Sequence, residues 1–297
     1  MHNSYSKKDT IEQLQAAFPE VELLVDEPMK KHTTFRIGGP ADIYVEPSYK
    51  QMVPLLHFLK DAAVPYMVIG NGSNLLISDE GIEGVVVAIG KAMSDIEIDA
   101  EAKTIRAEAG LTGLEFASGI PGTIGGAVYM NAGAYGGEMK DVITTVEIID
   151  KAGEVKEVAV DALDLSYRHS ALMEEEAVVI SAKLALAAGD AKEIKATIDD
   201  IRQKRIDKQP LNFPSAGSTF KRPEGYFAGK LIDDAGLRGY TVGDAQVSEK
   251  HCGFVINRGE ATCAQVLQLM HEVDEKVFKE FGVHLVPEVR IIGRNVN

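Results

Sequence analysis

An α+β fold is predicted, with a larger first domain of two α+β lobes and a smaller α+β unit behind it. Short β-branched runs bounded by Gly, Pro or Asp recur along the 297 residues. Amphipathic helical stretches are few. The two kinds of element alternate without the strand–helix–strand rhythm of a doubly wound sheet. At roughly 150 residues per domain, the length suits about two domains. The boundary is expected at 208, where Gln209-Pro210-Leu211-Asn212-Phe213-Pro214 follow a basic helix end. Residues 1–207 then form the first domain, divided near residue 90, and 208–297 the second.

In chain order, strands are expected over 43–45, 64–69, 85–89, 104–108, 142–149 and 178–186. Thr10 with Gln13, and Ser48 with Gln51, have capping-box spacing ahead of apolar periodic stretches. Over 193–206, Ile194, Ile198 and Ile201 fall on one stripe, and Pro210 marks the end. Thr262 and Gln265 form another box, followed by Val266, Leu269, Met270, Val273, Val277 and Phe281. That last helix is expected to pack on a small sheet made by 253–256 and a final strand near Val289.

Composition excludes several classes of function. With 45% hydrophobic and 26% charged residues the chain is ordinary globular material. A chain of this length needs no disulfide or metal staple, because it can bury about three quarters of its unfolded surface. The net charge of -14 argues against duplex nucleic acid or an anionic membrane as partner, since both need a concentrated basic face. An anionic small molecule stays possible if local Lys and Arg oppose the global field. Cys252 and Cys263 make no disulfide framework and read as packed thiols. Neither H-E-x-x-H nor C-x-x-C occurs, so no metal site is expected, and His251 and His271 read as structural. The N-terminus lacks an apolar core behind a basic start, and the longest apolar runs, such as 85–89, fall far short of the roughly 20 residues of a membrane span. A cytoplasmic, soluble protein is expected.

Two glycine-rich segments are the informative part. In Gly70-Asn71-Gly72-Ser73-Asn74-Leu75 a strand runs into a turn whose successive N–H groups can form a nest for phosphate oxygens without net positive charge. A tight strand-to-strand turn is the bland alternative. Neither G-x-G-x-x-G nor a Walker loop is present. The second segment, Ser118-Gly119-Ile120-Pro121-Gly122-Thr123-Ile124-Gly125-Gly126-Ala127, continues to Asn131-Ala132-Gly133-Ala134-Tyr135-Gly136-Gly137. Each interior Gly costs about 0.5–1 kcal/mol relative to Ala, so this density suggests close approach of backbone to a large planar or phosphorylated ligand. A mobile linker would lack the interleaved Ile, Val, Met and Tyr. Together the segments suggest a dinucleotide extended between two lobes.

With Thr33-Thr34-Phe35-Arg36-Ile37-Gly38-Gly39-Pro40-Ala41-Asp42, these residues resemble the UDP-N-acetylenolpyruvoylglucosamine reductases, cell-wall enzymes whose FAD domain is of the vanillyl-alcohol-oxidase type. The similarity runs over about 31–292. It implies tightly but non-covalently bound FAD, its diphosphate on 70–75 and its isoalloxazine and ribityl parts near 118–127, with Ile180 also at the cofactor. NADPH is the implied hydride donor and a UDP-sugar the substrate. No His or Cys lies within the glycine segments, which disfavours the covalently tethered oxidases of the same superfamily. A further alternative is a non-catalytic nucleotide-binding protein.

Three positions point to the reductase. In Ser166-Tyr167-Arg168-His169-Ser170, Arg168 matches the family's active-site arginine, a planar fork suited to a carboxylate. Ser218, in Ala216-Gly217-Ser218-Thr219-Phe220-Lys221, matches the serine used as proton donor, and Glu288 matches the catalytic glutamate near the C-terminus. The resemblance implies two half-reactions in one site. NADPH reduces FAD, and hydride then reaches the methylene of an enolpyruvyl ether, building negative charge on the adjacent carbon and its carboxylate. Arg168 and Glu288 would hold that carboxylate, Glu288 as its acid or through a shared proton, while Ser218 supplies the proton. Tyr167, Gly217, Lys221, Arg222, Gln246 and Asn257 are the expected substrate contacts, and a monomer is expected.

Three departures bear on this. Arg222 stands where the family often has Asn, which touches the sugar or diphosphate contact rather than the reaction class. No tyrosine-bearing insert follows Arg168, so the chain resembles the shorter subtype. Glu108-Ala109-Gly110 runs straight into Leu111-Thr112-Gly113, where the family usually has roughly twenty residues of helix and loop. Either the helix was lost or residues belong between Gly110 and Leu111. Strain on the flavin pocket favours the second reading, and an intact mass near 32.1 kDa would establish the first.

Overall fold

The computed structural model describes residues 5–93 and 111–296. The strand expected over 104–108, and Gly110 of the short junction, lie outside the described residues. The first lobe opens with α1 (Lys7–Ala17), whose N-cap is Ser6, accepting from the Asp9 amide. Thr10, expected to start this helix, lies inside it with its hydroxyl on Ser6 O at 2.8 Å. There follow β1 (Leu23–Pro28), β2 (Pro40–Val45), α2 (Tyr49–Asp61), β3 (Tyr66–Ile69), β4 (Leu75–Ile77) and β5 (Ile82–Ala88). The box of Ser48 and Gln51 caps α2 from the sequence position expected. A sheet of order β1-β2-β5-β3 is antiparallel at β1/β2 and parallel across β5. Its inner face packs Ile43, Val45, Val85 and Val87 against Met52, Leu55, Leu56 and Leu59 of α2.

The second lobe contains β6 (Leu111–Thr112), α3 (Ile124–Tyr129), β7 (Gly133–Ala134), β8 (Gly137–Glu138), β9 (Ile143–Ile149), β10 (Val155–Ala159), β11 (Val178–Leu184), β12 (Ala187–Ala188) and α4 (Ala191–Lys208). An antiparallel sheet of order β10-β9-β11 buries Val146, Ile148 and Val179 against Phe116, Val128 and Met139. The lobes are joined where His57 Nε2 of α2 meets Gly153 O of the β9–β10 turn at 2.7 Å.

The C-terminal unit is α5 (Ala228–Asp234), β13 (Thr241–Val242), β14 (Ala245–Val247), β15 (Val255–Asn257), α6 (Cys263–Phe281) and β16 (Arg290–Ile292). The Thr262–Gln265 box starts α6, and left-handed Gly282 ends it. Val266, Leu269, Met270, Val273 and Val277 are buried against the antiparallel sheet β13-β14-β15 and α5. The final strand is a correction to the sequence expectation. Rather than joining that sheet, β16 returns to the first lobe and pairs in parallel with β4, Arg290 opposite Leu75. Just before it, Pro287 bridges Phe220, and Arg290 N donates to Asn74 O at 2.9 Å, so the chain is steered toward β4 before the strand begins. Asp79 of the first lobe caps α6, its two carboxylate oxygens accepting from the amides of Cys263 at 2.7 Å and Ala264 at 3.0 Å. Among the described residues, no helix is long and apolar enough to cross a membrane.

Candidate active site

Three segments far apart in sequence meet at Glu288. Its amide donates to Thr219 O at 2.8 Å, its carbonyl accepts from Asn74 Nδ2 at 3.2 Å, and its Oε1 accepts from Arg168 Nε at 2.6 Å. Asn74 belongs to the first glycine turn and Thr219 follows Ser218. Lys221 N on Val286 O at 2.8 Å and the Phe220–Pro287 bridge extend the pairing of 219–221 with 286–288. That pairing sets Ser218 beside Glu288. Both line one cavity of roughly 480 Å³ with Arg168.

Arg168 sits at the tip of a turn closed by Ser166 N to His169 O and His169 N to Ser166 O, both 3.2 Å. Its φ is +54°, a region that costs a non-glycine residue on the order of 1–2 kcal/mol. The turn endures because its neighbours hold it. Asn131, 1% exposed, donates from Nδ2 to Ser166 O at 3.0 Å and to Glu138 at 2.6 Å, and accepts from Lys140 N at 3.0 Å. Ser170 Oγ, fully buried, donates to Tyr129 O at 2.7 Å. The bond from Arg168 Nε is short and charge-assisted. It leaves the two terminal amino groups of the fork free, among the described residues, for an incoming carboxylate.

The two glycine segments face each other. A Cβ at Gly70 would lie 2.4 Å from Thr123 Oγ1, and one at Gly122 would lie 3.8 Å from Ser73 Oγ. Among the described residues, the N–H groups of Asn71, Gly72, Ser73 and Asn74 have no backbone partner, which suits a nest for phosphate oxygens. Ser118, Ile120, Pro121, Gly126 and Ala127 line the facing loop and the start of α3, none of them buried. Some glycine density is packing after all. A Cβ at Gly125 would press to 3.2 Å from Val179 O, and one at Gly137 would enter the Phe116 ring at 2.7 Å. Ile180 is half-buried against the core of the first lobe, so its side chain joins the lobes. The residues present fit FAD: a phosphate-sized nest, a facing loop open to a flat ring, and a buried Arg205 whose Nη2 has no partner among the described residues.

Of the expected substrate contacts, Tyr167 and Arg222 line the cavity. Gly217, at φ +77°, shapes the turn before Ser218, and exposed Lys221 lies outside the lining. Gln246 and Asn257 lie outside that lining. Gln246 is buried, donating to Gly239 O and accepting from Arg258; Asn257 is buried, donating to Phe35 O and accepting from the amides of Gly259 and Ala261. Their polar atoms are satisfied inside the chain.

The sequence reading missed Phe227, Lys230, Arg238, Lys250 and His251, which also line the cavity. The cations Arg168, Arg222, Lys230, Arg238 and Lys250 outnumber the lining carboxylates, Asp233 and Glu288, in a chain of net charge -14. Arg222 stacks 4.0 Å over the Phe227 ring, making a flat face at the mouth. Burial pulls the His251 pKa down, and its Nδ1 accepts from Gly253 N at 3.1 Å, leaving the other ring nitrogen to donate. Burial also pushes the Cys252 thiol up to about 11 and the Cys263 thiol up to about 12, as packed thiols require.

Comparison with known proteins bears on this site directly. Residues 209–292 match the family model described as the C-terminal domain of UDP-N-acetylenolpyruvoylglucosamine reductase, and residues 41–159 match an FAD binding domain model. The chain is 55% identical over 310 residues to the UDP-N-acetylenolpyruvoylglucosamine reductase of Agathobacter rectalis, covering 96% of this chain and 98% of that protein. It is 49% identical to the enzyme of that name from Clostridioides difficile, covering 92% and 94%. The reductase structure from Thermus caldophilus aligns with a TM-score of 0.72 at 31% identity, over 92% of this chain and 98% of that one. The Agathobacter alignment is longer than the 297 residues of this chain, so that relative has residues where this chain has none.

Proposed function

The chain belongs to the UDP-N-acetylenolpyruvoylglucosamine reductase family, and from that premise we propose that Arg168, Glu288 and Ser218 are its catalytic residues. The reaction is the NADPH-dependent reduction of the enolpyruvyl ether of UDP-N-acetylglucosamine enolpyruvate to UDP-N-acetylmuramate, a step in peptidoglycan precursor synthesis. FAD supplies the two-electron relay between NADPH and the double bond. The observation that carries the residue assignment is their convergence: three segments bonded through Glu288 put one guanidinium fork, one carboxyl and one hydroxyl into a single cavity.

Asn71 to Asn74 hold the cofactor's diphosphate by their free amides, and the loop over 118–127 takes its ring and ribityl parts. Arg168, anchored at Nε, turns its remaining amino groups to the substrate carboxylate. Negative charge that develops there during reduction is met by a preoriented cation in place of reorganising water. Glu288 keeps Arg168 aimed at the same carboxylate. Ser218 delivers a proton to the carbon next to the carboxylate, completing the saturated ether. Arg222, Lys230, Arg238 and Lys250 receive the diphosphate of the UDP group, and the Arg222–Phe227 face suits its planar base. The same cavity admits NADPH and substrate in turn, so excess substrate inhibits. We place the enzyme in the cytoplasm as a monomer.

The test is spectroscopic. Purified protein should show a bound flavin that NADPH bleaches without oxygen. Adding UDP-N-acetylglucosamine enolpyruvate should restore the colour, and UDP-N-acetylglucosamine should not. Colour that returns only with oxygen would sink the substrate assignment.

A further inference from the structure

We propose that Arg222, stacked on Phe227 at the mouth of the cavity, holds the 2′-phosphate of NADPH and so makes the enzyme prefer NADPH to NADH. This rests on the reading that NADPH and the UDP-sugar use the one cavity in turn.

The turn that carries the pair is local. Tyr226 N donates to Pro223 O at 3.1 Å, and between them Gly225 takes φ +75°, which a side chain resists. The chain doubles back there and brings the Phe227 ring to 4.0 Å from the Arg222 guanidinium. Phe227 is 60% exposed and Arg222 is exposed beside it, whereas the side chains of Arg168 and Glu288 are only 24% and 10% exposed. All four line the cavity, so the first pair marks its mouth and the second its floor. Stacking fixes the plane of the guanidinium and leaves its edge for an anion. Its Nε donates to Tyr226 O at 3.3 Å, and among the described residues no carboxylate pairs with it. The neighbouring cations are committed: Arg238 to both oxygens of Asp233, Lys230 to Asp234 and Lys250 to Ile206 O. Of the lining cations outside the catalytic trio, Arg222 therefore offers the open fork.

The layout of the two ligands decides what that fork meets. From its reacting end the UDP-sugar reads enolpyruvyl, sugar, diphosphate, ribose, base. NADPH reads nicotinamide, ribose, diphosphate, ribose, base. With both reacting ends on the same floor, both nucleosides fall at the mouth. The remaining charges then lie at opposite ends. The UDP-sugar carries its carboxylate at the floor, beside Arg168, and NADPH carries its 2′-phosphate on the outer ribose, beside Arg222. That phosphomonoester has about −1.5 to −2 charges at pH 7 and three acceptor oxygens, two of which a guanidinium fork meets at once. In a chain of net charge -14, such a group needs a local cation to overcome the global field. NADH has a hydroxyl at that place and forgoes the pair.

The experiment follows anaerobic flavin reduction by NADPH and by NADH in wild type, Arg222→Gln and Arg222→Lys. Calorimetric titration of each holoenzyme with 2′,5′-ADP and with 5′-AMP isolates the binding of the 2′-phosphate from turnover. Wild type should favour NADPH over NADH and 2′,5′-ADP over 5′-AMP. Arg222→Gln should lose about tenfold or more of each preference, the worth of a charge-assisted hydrogen-bonded pair, and the loss should fall in the Kd for NADPH rather than in the limiting reduction rate. Arg222→Lys, which keeps the charge without the fork, should retain part of both preferences. Unchanged preferences in an Arg222→Gln protein that still holds its flavin overturn the proposal alone. So do equal losses for NADPH and NADH, the signature of a diphosphate contact, and so does a wild type that reduces equally well with either. A wild-type flavin that neither nucleotide bleaches overturns the reductase reading, and this proposal with it.

Discussion

Replacing Asn131 separates two ways in which the fold holds Arg168. Asn131 has φ +40° and makes three side-chain hydrogen bonds while 1% exposed. Asn131→Ala removes all three, leaving Lys140 N without its partner and Ser166 O with only its bond from His169 N. Each such group costs about 1–3 kcal/mol when fully buried. Glu138 and Lys140 are partly open to water, so about 2–4 kcal/mol is expected for the set. Alanine in the left-handed region adds about 1–2 kcal/mol, which glycine avoids. Asn131→Ala should therefore be destabilised by about 3–6 kcal/mol and Asn131→Gly by about 1–2 kcal/mol less, read from urea unfolding with an unchanged slope. Both variants should loosen the Ser166–His169 turn. Anaerobic reoxidation by substrate should slow in each, with the flavin spectrum retained. If Asn131→Gly keeps wild-type stability and reoxidises at the wild-type rate, Asn131 does not position Arg168.

Two further expectations concern joints between the parts. Asp79→Ala removes the carboxylate that caps α6 from the first lobe, and a cap of this kind is worth about 0.5–2 kcal/mol, so the thermal midpoint should fall by a few degrees; Asp79→Asn should recover part of it. At Asp42 burial works against the charge, but Arg294 at 2.8 Å and the Gly84 amide at 3.1 Å hold its carboxyl below the usual carboxylate range. The stability this lends is complete above the unfolded carboxylate value of about 3.9 and is lost as pH falls through the lower native value. Arg294→Ala should accordingly lower urea midpoints at pH 7 and narrow the gap to wild type as pH drops below about 4.

Much of the fold was legible because its signals are local. The Ser48 and Thr262 boxes, the stripe over 266–277 and the β-branched runs among the described residues each act within a few residues, and each formed close to where the spacing put it. Thr10 misled because Ser6, one turn earlier, competes for the same role and wins by capping Asp9 N. The destination of β16 was not legible. Its partner β4 lies more than 200 residues upstream, and nothing in Arg290-Ile291-Ile292 distinguishes one sheet edge from another. Glycine turns and the Arg168, Ser218 and Glu288 motifs stood out as residue types, yet their meeting depends on the backbone bonds of Thr219 and Asn74 to Glu288. The cations Lys230, Arg238 and Lys250 are unremarkable in sequence and become a site only when α5 and the loops around β13 and β14 fold onto the cavity. Arg205 did leave a trace: it occupies the next position of the Ile194–Ile198–Ile201 stripe, where a charge is out of place. Gln246 and Asn257 show the reverse, polar residues in suggestive places whose groups serve neighbouring backbone and side chains.

The most direct test of the central claim, that three distant segments form one reducing site with Ser218 as its proton donor, is the pair of half-reaction rates in Ser218→Ala. NADPH should bleach the flavin at close to the wild-type rate. Single-turnover reoxidation by UDP-N-acetylglucosamine enolpyruvate should slow by about 10²–10⁴-fold, the worth of a positioned general acid. Reoxidation at the wild-type rate would contradict the account and take the proton from another group in the cavity.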